Sequence, residues 1–315
     1  MKRLVSYALL LCLWLPALGQ ETVTFMPQWV PQTQFAGYYV AMEKGFYAEE
    51  GVNVVLDHFG GSSSNTVIGR IAAGDVDIVT SQLVTAMVAR SRGVPLVNVL
   101  QTAQTCGLMC VMRTPVSSPE QLDGKRIGRW KVGFGEICDI FCYKNALEVE
   151  WIPYLQGINL LVSGAVDGLL CYDYSEYIQL VLATGGIPDE NQLHFRDYGL
   201  NYPEDGLYVT EKYYAAHPET VEKFVRASRR GWDYAREHPE EALDISLEYI
   251  QSFHVATNRS FQQMMLRKVL DGQVNPDSGQ ADFAPVKRTV FDEMNAMLQA
   301  IGILQGTISY EEMIR

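Results

Sequence analysis

The chain has 315 residues, of which 48% are hydrophobic and 20% are charged, and its formal net charge is −12 at pH 7. This composition is that of a globular protein, and the length is enough for two lobes that each bury a core. The acidic surface would repel phosphates, which argues against nucleic acid as a partner but does not restrict the chemistry of a small ligand.

The first 19 residues are predicted to be a secretory signal peptide. Two basic residues precede an apolar run from Leu4 to Leu15, and a proline and small residues follow it. Cleavage is expected between Gly19 and Gln20. The run is shorter than the ~20 apolar residues of a membrane span, and an uncleaved anchor is the alternative. The mature protein is therefore expected to be soluble and periplasmic, or otherwise secreted.

Strand-like and helix-like segments alternate from Gln20 onward. The segments ETVTFM, VNVVLDHF, DVDIVTS and PLVNVLQTA are typical of strands, whereas QFAGYYVAMEKGFYAEEG, TVIGRIAAG and SQLVTAMVARSRG are typical of helices. This βαβ order predicts a parallel sheet covered by helices. The continuous apolar run PLVNVLQTA is the kind of strand that such a sheet buries on both faces.

The same order of elements restarts after Thr114. KRIGRW is a predicted strand, and INLLVSGAVDGLLC repeats the order helix, glycine, acid, strand and polar turn of IGRIAAGDVDIVTS, which predicts a second lobe of similar design. GLYVT, after residue 205, is predicted to be the last strand. Most of the remainder is predicted to be helical, with Pro218 and Pro239 at helix starts, and to pack back on the first lobe.

Five cysteines follow the predicted cleavage point, an odd number that leaves at least one thiol without a disulfide partner in an oxidising compartment. Cys106 and Cys110 are four residues apart, as are Cys138 and Cys142, which would put both sulfurs of a pair on one face of a helix. The spacing matches no zinc ribbon. Buried thiols or one or two disulfides are favoured over a metal site, and Cys171 is not explained.

The sequence contains no familiar catalytic motif. It lacks a nucleophile elbow, a His-Glu-x-x-His helix, a phosphate loop with a lysine, and a dinucleotide-binding glycine pattern. Only His58 of the five histidines lies near a predicted sheet edge, and a catalytic His58 is the weaker alternative. We therefore predict no catalytic residue, no cofactor and no metal.

Polar and aromatic side chains follow the predicted strands at their carboxyl ends, where open α/β sheets bind ligands. These segments are PQWVPQTQ, GGSSSNT and TSQ in the first lobe, and RWKVGFGE and CYDYSEY in the second. They predict a cleft between the lobes that binds a flat aromatic ligand. The candidate ligand-binding residues are Gln28, Trp29, Tyr38, Gly61, Ser62, Ser63, Asn65, Ser81, Gln82, Trp130, Tyr172, Asp173, Tyr174 and Glu176.

The segment GGSSSNT offers main-chain N–H groups and hydroxyls at a helix start, an arrangement that suits anions. It contains no lysine or arginine, so a carboxylate, a sulfonate or a neutral polar group is favoured over a phosphate. A solvated helix cap without a ligand is the equal alternative.

Several segments together resemble the family that joins periplasmic binding proteins for thiamine pyrimidine precursors with the fungal enzyme that makes hydroxymethylpyrimidine phosphate. The segments are QWVPQTQFAGYYVAMEKGFYAEEGVNV, GRIAAGDVDIVTS, LDGKRIG, GAVDG and HPETVEKFVRASRRGWDYAREHPEEA. The resemblance implies an α/β two-lobed periplasmic-binding-protein fold of type II, with two hinge crossovers and a helical C-terminal tail packed on lobe one. The crossovers would fall near 109–114 and 197–206, so lobe one would comprise 20–113 and 205–315, and lobe two 114–204.

The resemblance also implies roles for individual residues. Trp29 and Tyr172 or Tyr174 match the family's stacking groups for the pyrimidine ring, and Glu176, with Asp173, matches the acceptors for its amino group. Polar contacts would come from residues 62–65. The fungal enzyme has a lysine and a histidine where this chain has Ser81 and Thr85, and a cysteine-rich iron motif where this chain reads LNYPEDGLYV. These differences argue against a synthase.

The resemblance therefore implies a monomeric solute-binding component of an ABC importer that delivers a small heterocycle to an ABC permease. The expected ligand is a thiamine pyrimidine precursor of the hydroxymethylpyrimidine or formylaminopyrimidine type. Riboflavin, sulfonate and nitrate are alternative ligands. A sulfonate or nitrate would require a basic residue in the cleft, for which the candidate loops offer Arg129 and Lys131.

Overall fold

The computed structural model describes residues 20–58, 66–131, 133 and 135–315. The predicted signal peptide and the candidate residues Gly61, Ser62, Ser63 and Asn65 lie outside the described residues. The strands within them are β1 (Glu21–Met26), β2 (Val52–Leu56), β3 (Ile78–Gln82), β4 (Leu96–Gln101), β5 (Leu108–Met112), β6 (Arg126–Trp130), β7 (Glu150–Tyr154), β8 (Gly168–Tyr172), β9 (Gln192–His194) and β10 (Asp205–Thr210).

The helices cover both faces of the sheets and make up most of the chain after β10. They are α1 (Ala36–Glu43), α2 (Phe46–Glu49), α3 (Val67–Ala73), α4 (Leu83–Ser91), α5 (Glu136–Asn145), α6 (Asn159–Val162), α7 (Glu176–Thr184), α8 (Glu211–Ala216), α9 (Pro218–Glu237), α10 (Pro239–Ser252), α11 (Arg259–Gly272), α12 (Arg288–Ala300) and α13 (Tyr310–Met313). None of the helices in the described ranges is long and apolar enough to span a membrane.

The strands form two five-stranded sheets, with the orders β2-β1-β3-β10-β4 and β7-β6-β8-β5-β9. In the first sheet β1 runs parallel to β2 and β3, but β10 runs antiparallel to both β3 and β4. In the second sheet β5 likewise runs antiparallel to β8 and β9. Strands β1 to β4 therefore run in the same direction, as predicted, but β10 is inserted antiparallel between β3 and β4 when the chain returns from the second sheet.

The chain changes sheet twice, which makes the first lobe discontinuous in sequence. The first change lies between Gln101 and Leu108, because β5 pairs with β8 and β9. The predicted boundary after residue 113, with a crossover near 109–114, assigned β5 to the wrong sheet. The residues of β5 are apolar, and nothing in their sequence indicates which of the two sheets the strand joins. The second change lies between His194 and Asp205.

The predicted helix over QFAGYYVAMEKGFYAEEG is divided in the structure. It begins as a 3-10 turn at Thr33–Phe35, continues as α1 and ends before Gly45, after which α2 is a separate short helix. Gly45 has a φ of 73°, a left-handed conformation that interrupts the helix and that glycine adopts without strain.

Helices α1 and α9 pack with their backbones in close approach. A Cβ atom placed on Gly231 would lie 2.0 Å from the Gly37 carbonyl oxygen, and one on Gly37 would lie 2.1 Å from the Trp232 ring. Only glycine fits at such positions. The contact puts Tyr38 and Trp232 side by side, with ring centroids 5.5 Å apart and the rings edge to face. Both side chains are about 1% exposed.

The C-terminal helices pack mainly on the first lobe, as predicted. Helices α9 and α10 cover α1, and α13 contacts β4, where Asn98 forms a β-bridge with Ile314. Two of the helices also reach the second lobe. Helix α11 contacts α7, and α12 contacts α5, with Lys144 Nζ 3.1 Å from Glu293 Oε1.

The five cysteines after the predicted cleavage point are free thiols. Four are buried and Cys142 is half-buried. Burial raises the pKa of Cys110 to about 12 and that of Cys142 to about 11, which disfavours the reactive thiolate. Within the described residues, no group of three or more histidine, cysteine or acidic side chains is placed to hold a metal ion.

We expect at most one of these thiols to react with Ellman's reagent at pH 8 in the folded protein, and five to react after denaturation without reductant. The reason is that only Cys142 has partial access to solvent. A count of three or fewer in the denatured protein would show that a disulfide has formed and would contradict the arrangement described above.

Candidate functional site

A cleft between the two sheets contains three adjacent cavities, which we call the mouth, the slot and the inner chamber. The mouth has a volume of about 720 Å³, the slot about 40 Å³ and the inner chamber about 270 Å³. The mouth and the slot share Trp29 and Trp130 in their walls. The slot and the inner chamber share Gln34 and Tyr174. Each cavity has walls from both lobes, as expected of a cleft that closes on a ligand.

Aromatic rings of the second lobe form a stack along the slot. Trp130, at the end of β6, lies 5.2 Å from Tyr172, at the end of β8, and Tyr172 lies 5.2 Å from Tyr174, with interplanar angles of 25° and 20°. Trp29 of the first lobe lines the same slot. The sequence prediction that these four side chains meet in one cleft agrees with where the structure places them.

Glu176 is buried at the start of α7 and holds the stack together. Its Oε1 accepts a hydrogen bond from Trp130 Nε1 at 3.3 Å, and its Oε2 accepts one from the Tyr172 backbone N–H at 3.2 Å. Burial raises the pKa of the Glu176 carboxyl, and these donors partly oppose the shift. The carboxylate therefore orients two aromatic residues, and Glu176 itself lines the slot.

The loop that carries Trp29 is fixed by a histidine. His58 Nδ1–H donates to the Trp29 carbonyl oxygen at 3.1 Å, and His58 Nε2 accepts from the Tyr39 hydroxyl at 3.0 Å. Burial lowers the pKa of His58 to about 4, so the imidazole is neutral at pH 7. This position is structural, because both ring nitrogens are occupied by protein groups.

One hydrogen bond crosses the slot directly. Gln82 Nε2, at the end of β3 in the first lobe, donates to the Tyr172 hydroxyl in the second lobe at 2.6 Å. Gln82 Oε1 has no hydrogen-bond partner among the described residues although it is buried. The bond joins the lobes at the middle ring of the aromatic stack.

Asp205, at the start of β10, is the acceptor on which the glutamines of the first lobe converge. Gln34 Nε2 donates to Asp205 Oδ2 at 2.6 Å, and Gln28 Nε2 donates to Asp205 Oδ1. Gln32 Nε2 in turn donates to Gln34 Oε1 at 2.5 Å. Burial raises the pKa of Asp205 to about 6, so the carboxyl is largely ionised at pH 7. The polar segment PQWVPQTQ is thereby tied to the hinge strand.

The inner chamber lies behind the slot and is lined by charged, polar and aromatic groups of both lobes. Asp173 Oδ2 of the second lobe lies 3.4 Å from Arg196 Nη1, and Glu204 Oε1 accepts from the Gly107 backbone N–H at 2.8 Å. Burial raises the pKa of both carboxyls, for Glu204 well above its usual range. The other lining residues are Gln34, Tyr38, Thr80, Thr102, Ala103, Thr105, Tyr174, Asp205, Trp232, Lys268, Val269, Asp271, Gly272 and Gln273.

The predicted site residues that are described fall into three groups. The slot brings together Gln28, Trp29, Gln82, Trp130, Tyr172, Tyr174 and Glu176. Tyr38 and Asp173 line the inner chamber, together with Tyr174. Ser81 lines neither, because its side chain is buried in β3 with its hydroxyl donating to the Gln82 carbonyl oxygen at 3.3 Å. Direct contact of any of these residues with a ligand stays a prediction.

Sequence reasoning missed several residues of the inner chamber. Trp232 and Lys268 lie in the tail helices α9 and α11. The amphipathic sequence pattern of these helices is that of an ordinary surface helix, so it does not mark either residue as part of a cleft. The acidic pair Glu204–Asp205 directly before the last strand was the one available signal. Its position at the return hinge becomes evident only from the pairing of β10 with both β3 and β4.

A family model described as NMT1/THI5 like matches residues 32–242, about two thirds of the chain. The chain belongs to the NMT1/THI5-like family. The family resemblance stated from the sequence motifs is thereby confirmed. The matched range includes the slot residues other than Gln28 and Trp29, and the inner-chamber residues other than those at 268–273.

Curated relatives of this NMT1/THI5-like chain include binding proteins and enzymes. The riboflavin-binding protein RibY of Chloroflexus aurantiacus is 28% identical over 304 residues, covering 93% of this chain and 84% of that protein. The formylaminopyrimidine-binding protein of Halalkalibacterium halodurans is 27% identical over 270 residues, covering 82% and 79%. A 4-amino-5-hydroxymethyl-2-methylpyrimidine phosphate synthase of Aspergillus parasiticus is 25% identical over 248 residues, covering 74% and 71%.

Solved structures similar to this NMT1/THI5-like chain include periplasmic binding proteins. The periplasmic aliphatic sulphonate-binding protein SsuA from Escherichia coli superposes with a TM-score of 0.69 at 12% identity, covering 93% of this chain and 96% of that one. The alkanesulfonate-binding protein SsuA from Xanthomonas axonopodis, bound to MOPS, gives a TM-score of 0.63 at 12% identity, covering 93% and 98%. At this identity the likeness shows the fold, which confirms the predicted two-lobed fold class.

Proposed function

We propose that this protein is the extracytoplasmic solute-binding component of an ABC importer, and that it binds a small amino-substituted heterocycle of the thiamine-pyrimidine-precursor type between its lobes. The observation that carries the proposal is the slot. It places the aromatic stack of Trp130, Tyr172 and Tyr174 opposite Trp29, with carboxylates within the same cleft. Stacking supplies contact area for a flat ring, and carboxylates accept from exocyclic amino groups.

The charges of the cleft favour an amine-bearing ligand over an anion. The carboxylates of Asp173 and Asp205 line the inner chamber together with Glu204, whose raised pKa favours its neutral form, whereas Arg196 is paired with Asp173 and Lys268 is exposed. Arg129, a candidate for anion binding, is paired with Asp139 at 2.6 Å. A sulfonate or nitrate would meet more negative than positive charge at the centre of the cleft, which raises the cost of binding it.

The function we propose is binding followed by delivery to an ABC permease, without chemistry on the ligand. Ser81 and Thr85 stand where the fungal enzyme of the family has its lysine and histidine, and Ser81 is packed within β3. Incubation with pyridoxal phosphate is therefore expected to give no absorbance band of a bound cofactor.

Isothermal titration calorimetry on the protein from Gln20 onward tests the ligand class. The panel is formylaminopyrimidine, hydroxymethylpyrimidine, thiamine, riboflavin, an alkanesulfonate and nitrate. We expect one of the two pyrimidines to bind with 1:1 stoichiometry and at least ~100-fold more tightly than the sulfonate. Binding of the sulfonate or nitrate alone would overturn the proposal, and binding of riboflavin alone would keep the importer role but replace the ligand.

Replacing Glu176 with glutamine is expected to weaken pyrimidine binding about 10-fold, equal to ~1.4 kcal/mol. The two donors face different oxygens of Glu176, and in the amide one of these positions becomes an NH2 group, which would meet Trp130 Nε1–H or the Tyr172 N–H donor to donor, so one of the two hydrogen bonds is lost. Calorimetry measures the change, with Glu190→Gln at an exposed position of the same lobe as the matched control. Equal affinities for the two variants would reject this role of Glu176.

A further inference from the structure

The inner chamber contains two buried polar atoms that the protein does not satisfy. Tyr38 Oη and Trp232 Nε1 form no hydrogen bond of normal geometry among the described residues, although the Tyr38 hydroxyl lies close to both Trp232 and Thr102, and both side chains are about 1% exposed. A buried donor without a partner costs about 1–3 kcal/mol, so such groups are rarely retained without a use. Both side chains line the inner chamber, and both are held there by the close packing of α1 on α9.

The opposite side of the chamber offers acceptors. Asp205 and Glu204 at the start of β10, and Asp173 after β8, present carboxyl oxygens to the same space. The indole N–H of Trp232 can only donate, whereas a carboxylate can only accept. A ligand group that satisfies both sides must therefore accept one hydrogen bond and donate another.

The charged groups that line the inner chamber determine whether it favours a neutral or an ionic ligand substituent. Asp173, Glu204, Asp205 and Asp271 face it from β8, β10 and α11, against Arg196 and Lys268. Arg196 is already within 3.4 Å of Asp173. An anionic group would meet an excess of carboxylates in a partly buried cavity, where repulsion is poorly screened. A neutral group with both an acceptor and a donor fits without that cost.

We propose that the inner chamber is a specificity subsite for a neutral ligand substituent that both donates and accepts hydrogen bonds, such as an amide or a hydroxyl group, with Tyr38 and Trp232 as its donors and Asp205 as its acceptor. The heterocyclic ring would then lie in the slot, which at about 40 Å³ must widen to admit it, and the substituent would extend past Tyr174, which lines both cavities. This inference rests on the proposed function, because it assumes that a heterocycle binds in the cleft.

The test compares two ligands that differ only in the substituent. Formylaminopyrimidine carries an amide C=O and N–H, and 4-amino-2,5-dimethylpyrimidine carries a methyl group in their place. The wild-type protein is expected to bind the first at least ~100-fold more tightly, as measured by calorimetry, because three buried hydrogen bonds of about 1 kcal/mol each are lost with the second. Riboflavin and lumiflavin, which differ by the ribityl hydroxyls, form the corresponding pair if a flavin binds.

Tyr38→Phe is expected to weaken formylaminopyrimidine binding about 10-fold while changing the affinity for the dimethyl analogue less than 2-fold. Trp232→Phe, which removes the indole N–H, is expected to show the same selectivity. The control is Tyr208→Phe. It removes another buried hydroxyl that forms no hydrogen bond of normal geometry among the described residues, from a side chain that lies outside the chamber lining, and should leave both affinities unchanged.

The outcomes separate the two proposals. If neither pyrimidine and neither flavin binds, the proposed function fails and this inference fails with it. If a pair binds but its two members bind equally well, or if Tyr38→Phe weakens both members to the same degree, the subsite is rejected while the proposed function stands. Tyr38→Phe is expected to change the melting temperature of the ligand-free protein little, because the hydroxyl that it removes forms no hydrogen bond of normal geometry among the described residues.

Discussion

Gly231→Ala is expected to lower the free energy of unfolding by about 3 kcal/mol, since overpacking a close contact typically costs 1–3 kcal/mol and here the neighbour is backbone. The new Cβ would lie 2.0 Å from the Gly37 carbonyl oxygen and 2.8 Å from Ala41 Cβ, so α1 and α9 would have to separate. Equilibrium denaturation in urea, followed by circular dichroism, measures the change.

The same substitution should also disturb the candidate site, because the contact of α1 with α9 sets the positions of Tyr38 and Trp232 in the inner chamber. Gly272→Ala is the matched control. Its Cβ would meet only Thr105 Oγ1 at 3.7 Å, an ordinary contact, and we expect a change of less than about 1 kcal/mol. A Gly231→Ala protein as stable as this control would contradict the described packing of the two helices.

The buried imidazole of His58 is expected to make the protein less stable as the pH falls from 7 to 4. Burial lowers the pKa of His58 from 6.5 to about 4, while the Trp29 carbonyl and the Asp57 carboxylate oppose the shift. Between these two pH values the unfolded chain binds a proton that the folded chain does not, so unfolding becomes more favourable with falling pH. The full contribution is present above pH 6.5 and is lost by about pH 4.

The size of this effect is about 3 kcal/mol, because each unit of pKa difference corresponds to 1.36 kcal/mol. The measurement is the free energy of unfolding of the wild type and of His58→Asn at several pH values. The difference, wild type minus variant, should fall by about 3 kcal/mol between pH 7 and pH 4. Parallel curves for the two proteins would show that His58 is not buried in its neutral form.

Much of the fold could be predicted because local pattern and tertiary structure agree. The helices that begin at Pro218 and Pro239 start where predicted, since proline at the first position loses no helical hydrogen bond. The assignment of β5 to a lobe could not be predicted. Its residues are apolar in either sheet, and only its pairing with β8 and β9 decides the matter.

Some residues of the candidate site could likewise be located from the sequence, whereas the roles of others could not. Tyr172, Tyr174 and Glu176 follow a strand directly, so the end of that strand locates them in the cleft. The roles of Glu176 and His58 depend on distant partners, since Glu176 accepts from Trp130 and His58 donates to the Trp29 carbonyl. Trp232 enters the chamber through the packing of α9 on α1, which no local sequence pattern reports.

The central claim is that a heterocyclic ligand binds between the lobes, with its ring in the slot and a polar substituent in the inner chamber. A crystal structure of the protein with formylaminopyrimidine, or with whichever ligand of the panel binds, tests it most directly. The account predicts ligand density beside Trp29 and Tyr174, with a substituent atom within hydrogen-bond distance of Trp232 Nε1. Density outside the cleft, or a ligand held by only one lobe, would contradict the account.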